Sequence, residues 1–266
     1  MTPPDAPSPV RTFLVDRLHV EVHDDRDALG AAAARHLATA LRDAARTRER
    51  LGMVFASAPS QVETLAALTA QPDLPWSAVT AFHLDEYLGL PSDHPRSFAG
   101  FLREHVAGRV PLAAAHYLNG EAEDPDRECV RYGELLGADG LDLGCVGVGE
   151  NGHLAFNEPN DTDFDDPREV RIVELDDRSR RQQVNEGLFP TLDAVPRRAL
   201  TLTVPAILAA RTLACVVPGE SKADAIRRML TEDVSPACPA SALRRHGAAT
   251  LFLDVESAGA VEGLGG

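Results

Sequence analysis

The chain has 266 residues, of which 44% are hydrophobic and 25% are charged, an ordinary balance for a globular protein with a buried core. Its formal net charge of −15 argues against general affinity for nucleic acid or for an anionic membrane surface. No apolar run approaches the roughly 20 residues that a bilayer crossing requires, so we exclude a membrane-spanning helix.

The N-terminus predicts a tail followed by one long domain. Residues 1–12 begin with several prolines and lack the basic and apolar pattern of a signal peptide, so we expect a disordered tail there. Residues 13–266 show no internal repeat, no low-complexity linker and no clear boundary. We therefore expect a single domain over that range.

Strand-like and helix-like segments alternate along this domain. We predict strands from short apolar runs and helices from apolar residues at helical spacing. The predicted strands are residues 51–56, 79–84, 141–148, 169–175, 212–217 and 250–255. The predicted helices are residues 24–48, 61–70, 97–106, 126–136, 180–189 and 221–230.

This alternation predicts an α/β fold. Strands that alternate with helices of about ten residues form an open, mostly parallel sheet with helices on both faces, which is a Rossmann-like arrangement. Ligands of such sheets bind beyond the carboxyl ends of the strands, in the loops that lead to the helices. Those loops are therefore where we expect the functional residues.

The four cysteines show no metal-type spacing, and we predict no metal site from them. Cys145 and Cys215 also lie inside apolar runs. Reduced and mostly buried thiols are typical of a cytoplasmic protein, which is the localisation that we expect.

The loop after the predicted strand 141–148 is rich in glycine. Residues 147–152 (Gly-Val-Gly-Glu-Asn-Gly) match the GxGxxG dinucleotide fingerprint. That fingerprint requires a helix at its glycines, whereas Pro159 and several polar residues follow here, so we do not predict nicotinamide binding. The glycines instead predict a tight turn that presents His153 and Glu158. A histidine beside a carboxylate suits a general base, but a hydrogen-bonded turn histidine fits the same spacing.

An acidic pair follows the predicted strand 79–84. Asp85 and Glu86 are either solvated loop acids or helix caps, as most such residues are. A carboxylate at this position can also remove a proton next to a carbonyl group, provided that partial burial raises its pKa. The residues alone leave both interpretations open.

Two strand-to-helix loops suit a phosphate group. Residues 219–222 (Gly-Glu-Ser-Lys) combine helix-start amides with the ammonium of Lys222. Ser57 and Ser60 occupy the corresponding turn after the first predicted strand, although Pro59 has no amide proton to donate. Capping serines and a solvated lysine explain these loops equally well.

Taken together, these loops resemble the glucosamine-6-phosphate deaminase family, part of a larger group that includes the 6-phosphogluconolactonases. Its motifs match, in family order, residues 84–90, 118–120, 147–159, 195–201 and 219–223. Within them, the string Gly-His-Leu-Ala-Phe-Asn-Glu-Pro at 152–159 is highly specific. Lactonases typically carry Asp-Glu-Arg where this chain has Asp-Glu-Tyr, and they usually continue Gly-His with Thr-Ala-Ser. Both differences favour the deaminase branch.

The resemblance implies an activity and a set of roles. The chain is expected to convert glucosamine 6-phosphate and water to fructose 6-phosphate and ammonia, with no metal or organic cofactor. Asp85 would move a proton between C2 and C1 of the open-chain sugar, and His153 would help to open the ring. The resemblance adds Glu158 and Asn151 to the catalytic residues. It implies substrate or phosphate binding by Ser57, Ser60, Gly152, Lys222 and one of the arginines Arg180 and Arg181.

Departures from the family pattern keep alternatives open. The first phosphate loop is often Thr-Gly-Gly-Thr in the family, and many members carry Asp where this chain has Asn151. The alternatives are a 6-phosphogluconolactonase, an isomerase or deaminase of another hexosamine phosphate, and a non-catalytic sugar-phosphate sensor. The expected partner is a small amino sugar phosphate rather than nucleic acid or membrane. Some members form hexamers, which leaves a homo-oligomer open.

Overall fold

A computed structural model of the protein describes residues 8–159, 161–185, 187–261 and 263. The described chain opens with an antiparallel hairpin of strands β1 (Arg11–Val15) and β2 (Leu18–His23). Residues 1–7 of the predicted tail lie outside the described residues. Arg11 and Thr12 were also placed in the tail, but they pair with β2, so the folded part begins before residue 13.

The remaining elements alternate much as predicted, and every predicted strand and helix overlaps an observed one. The other strands are β3 (Leu51–Phe55), β4 (Val79–His83), β5 (Asp85–Tyr87), β6 (Ala114–Ala115), β7 (Leu143–Val146), β8 (Val170–Glu174), β9 (Arg198–Leu202), β10 (Thr212–Val217) and β11 (Ala249–Asp254). The α-helices are α1 (Arg26–Ala45), α2 (Val62–Thr69), α3 (Phe98–Leu102), α4 (Pro125–Asp139), α5 (Asp177–Asn185), α6 (Val204–Leu208) and α7 (Ala223–Thr231). A π-helical turn, Arg103–Ala107, continues α3.

The large sheet has the strand order β1-β2-β11-β10-β7-β3-β4-β6. Its neighbouring strands are parallel except for the β1–β2 pair. This confirms the predicted α/β fold with an open, mostly parallel sheet. Within the part of the chain that the structure describes, no helix combines the length and the apolar character that a bilayer crossing needs.

Helices cover both faces of the large sheet because successive side chains of a strand point to opposite sides. On β3, Leu51, Met53 and Phe55 pack with buried residues of α1 and α2. Val54 points the other way and packs in a second core with residues of α4 and α7. Fully buried strands of this kind explain why the predicted segments read as continuous apolar runs rather than as alternating ones.

A second, smaller sheet was not predicted. It has the order β5-β9-β8 and is antiparallel throughout. Only Leu84 separates β4 from β5, and its backbone bridges the two sheets: its N–H donates to Phe55 of β3, and its carbonyl accepts from Leu202 of β9. The chain therefore leaves the large sheet at this point, and Asp85 is the first residue beyond it.

Candidate active site

A cavity of about 290 Å³ opens at the carboxyl ends of the parallel strands, close to the usual lower size of small-molecule sites, about 300 Å³. The segments that directly follow four strands supply much of its lining. They contribute residues 57–60 after β3, Asp85 after β4, residues 147–149 after β7, and Gly219, Ser221 and Lys222 after β10. The segments in which we expected the functional residues therefore line one cavity.

The backbone of Asp85 is held by the buried imidazole of His83. The N–H of Leu118 donates to Nε2 of this histidine at 3.0 Å, so Nε2 carries no proton. Its Nδ1 therefore has the proton and donates to the carbonyl oxygen of Asp85 at 2.7 Å. Burial lowers the pKa of His83 to about 4, which keeps the ring neutral. The crossing from β4 to β5 is thus a rigid support for the acid.

Asp85 lines the cavity, although the residue is only 8% exposed. Among the described residues, none donates a hydrogen bond to its carboxyl group. Burial, and then the neighbouring charge of Glu86, raise its pKa well above the usual range. A carboxylate with few stabilising partners and a high proton affinity is suited to remove a proton from carbon.

Glu86 has a structural role beside it. Its carboxylate accepts hydrogen bonds from the N–H groups of Tyr87, Phe98 and Ala99, and from the hydroxyl of Ser97. Burial raises the pKa of Glu86, although these hydrogen bonds act in the opposite direction. The side chain ties the start of α3 to β5 and does not line the cavity.

His153 and Glu158 meet as predicted. The imidazole Nδ1 of His153 lies 3.6 Å from Oε1 of Glu158 and 3.3 Å from the hydroxyl oxygen of Ser179. His153 lines the cavity, whereas Glu158 is buried behind it. Burial alone would raise the pKa of Glu158, but His153, Ser179 and Asn151 outweigh it and lower the pKa. The glutamate therefore stays ionised, able to orient the ring and stabilise its protonated form.

Asn151 was predicted to be catalytic, but it does not line the cavity. Its amide nitrogen donates to Oε2 of Glu158 at 2.7 Å, and its carbonyl oxygen accepts from the backbone N–H of His153 at 3.0 Å. The residue connects the two members of the pair.

Two glycines shape the turn that carries the histidine. A Cβ atom at Gly149 would lie 2.1 Å from Nε2 of His153, so only glycine leaves room for the ring. Gly152 has φ +88°, and a Cβ there would lie 2.8 Å from Sγ of Cys238. Gly152 was predicted to bind substrate, but it faces Cys238 rather than the cavity. No helix starts at these glycines, in agreement with the rejected dinucleotide site.

Three residues predicted to hold a phosphate line the cavity, and we call the part that they line its cationic end. Ser57, Ser60 and Lys222 all line it. Arg26, the first residue of α1, lines the same end and was missed by sequence reasoning. Its guanidinium donates to the carbonyl oxygen of Pro59 and lies 2.8 Å from the carboxylate of Glu63. The structure therefore adds a second cation to this end.

The predicted arginines are not part of this end. Arg180 is buried, and its guanidinium contacts Asp177 and the carbonyl oxygens of Leu192 and Val195. Arg181 is exposed, and neither arginine lines the cavity. The prediction of a phosphate contact from either one is corrected accordingly.

Helix α5 instead contributes two amides to the cavity. Gln182 accepts a hydrogen bond from the N–H of Glu150 at 3.3 Å. Gln183 accepts one from the hydroxyl of Tyr87 at 3.0 Å. Both glutamines line the cavity. Sequence reasoning missed both, because no pattern in α5 shows which of its side chains face the cavity.

The arrangement joins three chemical capacities around one cavity. Asp85 can exchange a proton with carbon, the His153–Glu158 pair can move a proton to or from oxygen, and the cationic end can bind an anion. On an open, mostly parallel α/β sheet, these groups form a candidate active site for an enzyme that acts on a small anionic molecule.

The chain belongs to the family of glucosamine-6-phosphate isomerases/6-phosphogluconolactonase, whose model matches residues 24–252. A glucosamine-6-phosphate deaminase of Bacillus thuringiensis (strain Al Hakam) is 36% identical over 219 residues, 82% of this chain and 80% of the relative. The deaminase of Bacillus cereus (strain B4264) is 35% identical over the same length and with the same coverage.

Solved structures agree with this assignment. A monomeric glucosamine-6-phosphate deaminase superposes with a TM-score of 0.83 and 31% identity, covering 91% of this chain and 99% of that one. A 6-phosphogluconolactonase from Shewanella baltica OS155 superposes with a TM-score of 0.74 and 19% identity, covering 91% of this chain and all of that one. At 19% identity the second likeness shows the shared fold alone. The protein is thus an enzyme of this family.

Proposed function

We propose that the enzyme converts glucosamine 6-phosphate and water to fructose 6-phosphate and ammonia. The observation that carries the proposal is the carboxyl group of Asp85, which is buried, unpartnered among the described residues, and turned into the same cavity as the imidazole of His153. Aldose–ketose isomerisation needs a base that removes a proton from carbon, and this carboxylate meets that need. The relatives named as deaminases support the same activity.

The substrate binds with its 6-phosphate at the cationic end of the cavity. The ammonium of Lys222 and the guanidinium of Arg26 attract the phosphate, and the loop residues 57–60 and 219–222 surround it. The other end of the sugar then lies towards Asp85 and His153. The binding energy of the phosphate holds the reacting carbons in place, which is how a group that does not react assists catalysis.

Ring opening is the first step, and His153 carries it. The imidazole transfers a proton between the ring oxygen and the hydroxyl on C1, so the hemiacetal opens to a free aldehyde. Glu158, 3.6 Å from Nδ1 of His153, stabilises the imidazole while the imidazole holds the extra proton.

Isomerisation and deamination follow. Asp85 removes the proton from C2, which is acidic beside the C1 aldehyde, and the electron pair moves towards the C1 oxygen. That oxygen takes a proton from the ammonium group of the substrate, which gives a neutral enolamine. The proton returns to C1, which leaves an iminium group at C2. Water adds to C2, and ammonia leaves to give the ketone of fructose 6-phosphate. These steps balance with one water consumed and one ammonia released, and they need only proton transfers from the enzyme.

A substrate panel tests the proposal. Purified enzyme is incubated with glucosamine, galactosamine and mannosamine 6-phosphates and with 6-phosphogluconolactone, and ammonia, ketose phosphate and free acid are measured. We expect equal amounts of ammonia and fructose 6-phosphate from glucosamine 6-phosphate. Lactone hydrolysis with no ammonia from any hexosamine phosphate would show a lactonase instead. Binding without turnover of any compound would show a sensor.

Lys222→Ala is expected to raise KM for glucosamine 6-phosphate at least about tenfold, the cost of losing a hydrogen bond to a charged group. The fall in kcat should be smaller, because the phosphate does not react. Steady-state kinetics measure both constants. Arg181→Ala is the matched control, since this arginine is exposed and outside the cavity. A higher KM in the control with no change for Lys222→Ala would move the phosphate away from the end described here.

Gly149→Ala is expected to lower kcat by about a hundredfold, since a misplacement of about 1 Å can cost that much. The added Cβ would lie 2.1 Å from Nε2 of His153, so the ring must move. Gly137→Ala is the control: this glycine lies in α4 with open space around it, so alanine should stabilise the helix by up to about 1 kcal/mol. Normal turnover of Gly149→Ala would contradict the placement of the imidazole.

A further inference from the structure

Gln61 is a fully buried amide beneath the cationic end of the cavity. Its Nε2 lies 3.0 Å from the hydroxyl oxygen of Ser60 and 3.2 Å from the carbonyl oxygen of Val216 on β10. Its Oε1 accepts from the thiol of Cys145 on β7 at 3.4 Å. Gly147 leaves room for this side chain, because a Cβ there would lie 3.0 Å from Nε2. The amide thus links the first phosphate loop to two strands of the large sheet.

The surroundings of the amide determine which end faces the loop. The carbonyl of Val216 can only accept a hydrogen bond, so the NH₂ group and not the amide oxygen must face it. The thiol of Cys145 faces the other end, and burial raises its pKa to about 12, so it keeps its proton and can donate. Both amide protons are therefore directed, one to Val216 and one to Ser60.

This orientation determines what Ser60 can offer to a ligand. Because its oxygen accepts the second proton of the amide, its own proton must point elsewhere. Among the described residues, none accepts a hydrogen bond from this hydroxyl, and Ser60 lines the cavity. Ser57 differs, since its hydroxyl is 3.4 Å from the carbonyl oxygen of Phe98 and points its proton there.

We propose that Gln61 is a positioning residue for phosphate recognition: it directs the hydroxyl proton of Ser60 into the cavity, towards a phosphoryl oxygen. A hydroxyl fixed as a donor in the cavity that Lys222 also lines favours an anionic acceptor. The placement of the phosphate rests on the proposed function, whereas the orientation of the hydroxyl rests on the contacts of Gln61 alone. The proline in this loop removes one amide donor, and the directed hydroxyl supplies another.

Titration of the enzyme with inorganic sulfate, followed by NMR, tests this proposal without relying on turnover. Sulfate resembles a phosphate monoester and keeps its charge between pH 5 and 8. We expect Gln61→Met and Ser60→Ala each to weaken sulfate binding about fivefold, the effect of one net hydrogen bond. The double variant should bind no more weakly than Ser60→Ala, because Gln61 acts through that hydroxyl. Thr64→Val is the control and should bind normally, because the hydroxyl of Thr64 on α2 is buried and has no hydrogen-bond partner among the described residues.

Gln61→Glu gives a second test if Gln61→Met fails to fold. The new carboxyl can donate a proton only when protonated, so sulfate binding should be weak at pH 8 and tighten towards pH 5, beyond any change in the wild type. In steady-state kinetics, Gln61→Glu should raise KM for glucosamine 6-phosphate, while its kcat stays within about twofold of the wild-type value. Unchanged sulfate affinity in folded Gln61→Met, or additive effects of Gln61→Met and Ser60→Ala, would overturn the proposal. Loss of deaminase activity with the expected changes in sulfate binding would leave the proposal for Gln61 standing.

Discussion

Asp85→Asn is expected to lower kcat for glucosamine 6-phosphate by at least about a hundredfold, the usual contribution of a general base. The amide has almost the same shape as the acid but cannot take the proton from C2. KM should change little, since Asp85 is not one of the residues that we expect to hold the phosphate. Steady-state kinetics measure the effect. Asp93→Asn, at an exposed loop position outside the cavity, is the control.

The same substitution should stabilise the fold at neutral pH. Burial raises the folded-state pKa of Asp85. A group with a raised folded-state pKa contributes stability below its unfolded-state pKa and loses it as the pH rises through the folded value. Ionised Asp85 therefore costs stability at pH 7, and asparagine removes the cost. Urea unfolding should show a gain for Asp85→Asn at pH 7 that shrinks towards pH 4. Near-normal turnover or a loss of stability at pH 7 would remove Asp85 from its proposed role.

His153→Gln is expected to lower kcat by about a hundredfold or more, because the imidazole carries the proton during ring opening. Glu158→Gln should have a smaller effect, since the imidazole remains and loses only the anion that stabilises its protonated form. The kcat values of both variants and their pH profiles measure this. Equal activity of His153→Gln and the wild type would assign ring opening to solvent. A larger loss for Glu158→Gln than for His153→Gln would make the glutamate the proton carrier.

The central strands of the large sheet, β11, β10, β7, β3 and β4, were predictable because they are buried on both faces, whereas β1, β2 and β6 were not predicted. Such strands appear as continuous apolar runs between helical segments, as residues 51–56 and 212–217 do. The small sheet was not predictable in this way. Its strand β5, Asp85–Tyr87, has three residues, two of them acidic, and a single residue separates it from β4. Pairing with β9 determines that strand, and no local pattern shows this pairing.

The part of the candidate site that follows directly after strands was predictable. Asp85, His153, Ser60 and Lys222 all follow strands, and the structure brings them to one cavity. The positions of Arg180 and Arg181 relative to the cavity were not predictable. Neighbouring residues of a helix point about 100° apart, and the sequence does not show how α5 is rotated about its axis. Rotation turns two glutamines into the cavity and leaves Arg181 exposed. Arg26 had a usable signal, since it begins the helix that follows β2.

One NMR measurement shows directly whether Asp85 moves the C2 proton of an amino sugar phosphate. Glucosamine 6-phosphate deuterated at C2 is incubated with wild-type enzyme and with Asp85→Asn. We predict that the wild type removes deuterium from C2 in every turnover, delivers it to C1 of fructose 6-phosphate or to solvent, and releases one ammonia per deuterium lost. Asp85→Asn should keep the deuterium at C2 and release no ammonia. Deuterium retained at C2 by a wild-type enzyme that hydrolyses 6-phosphogluconolactone would contradict the account.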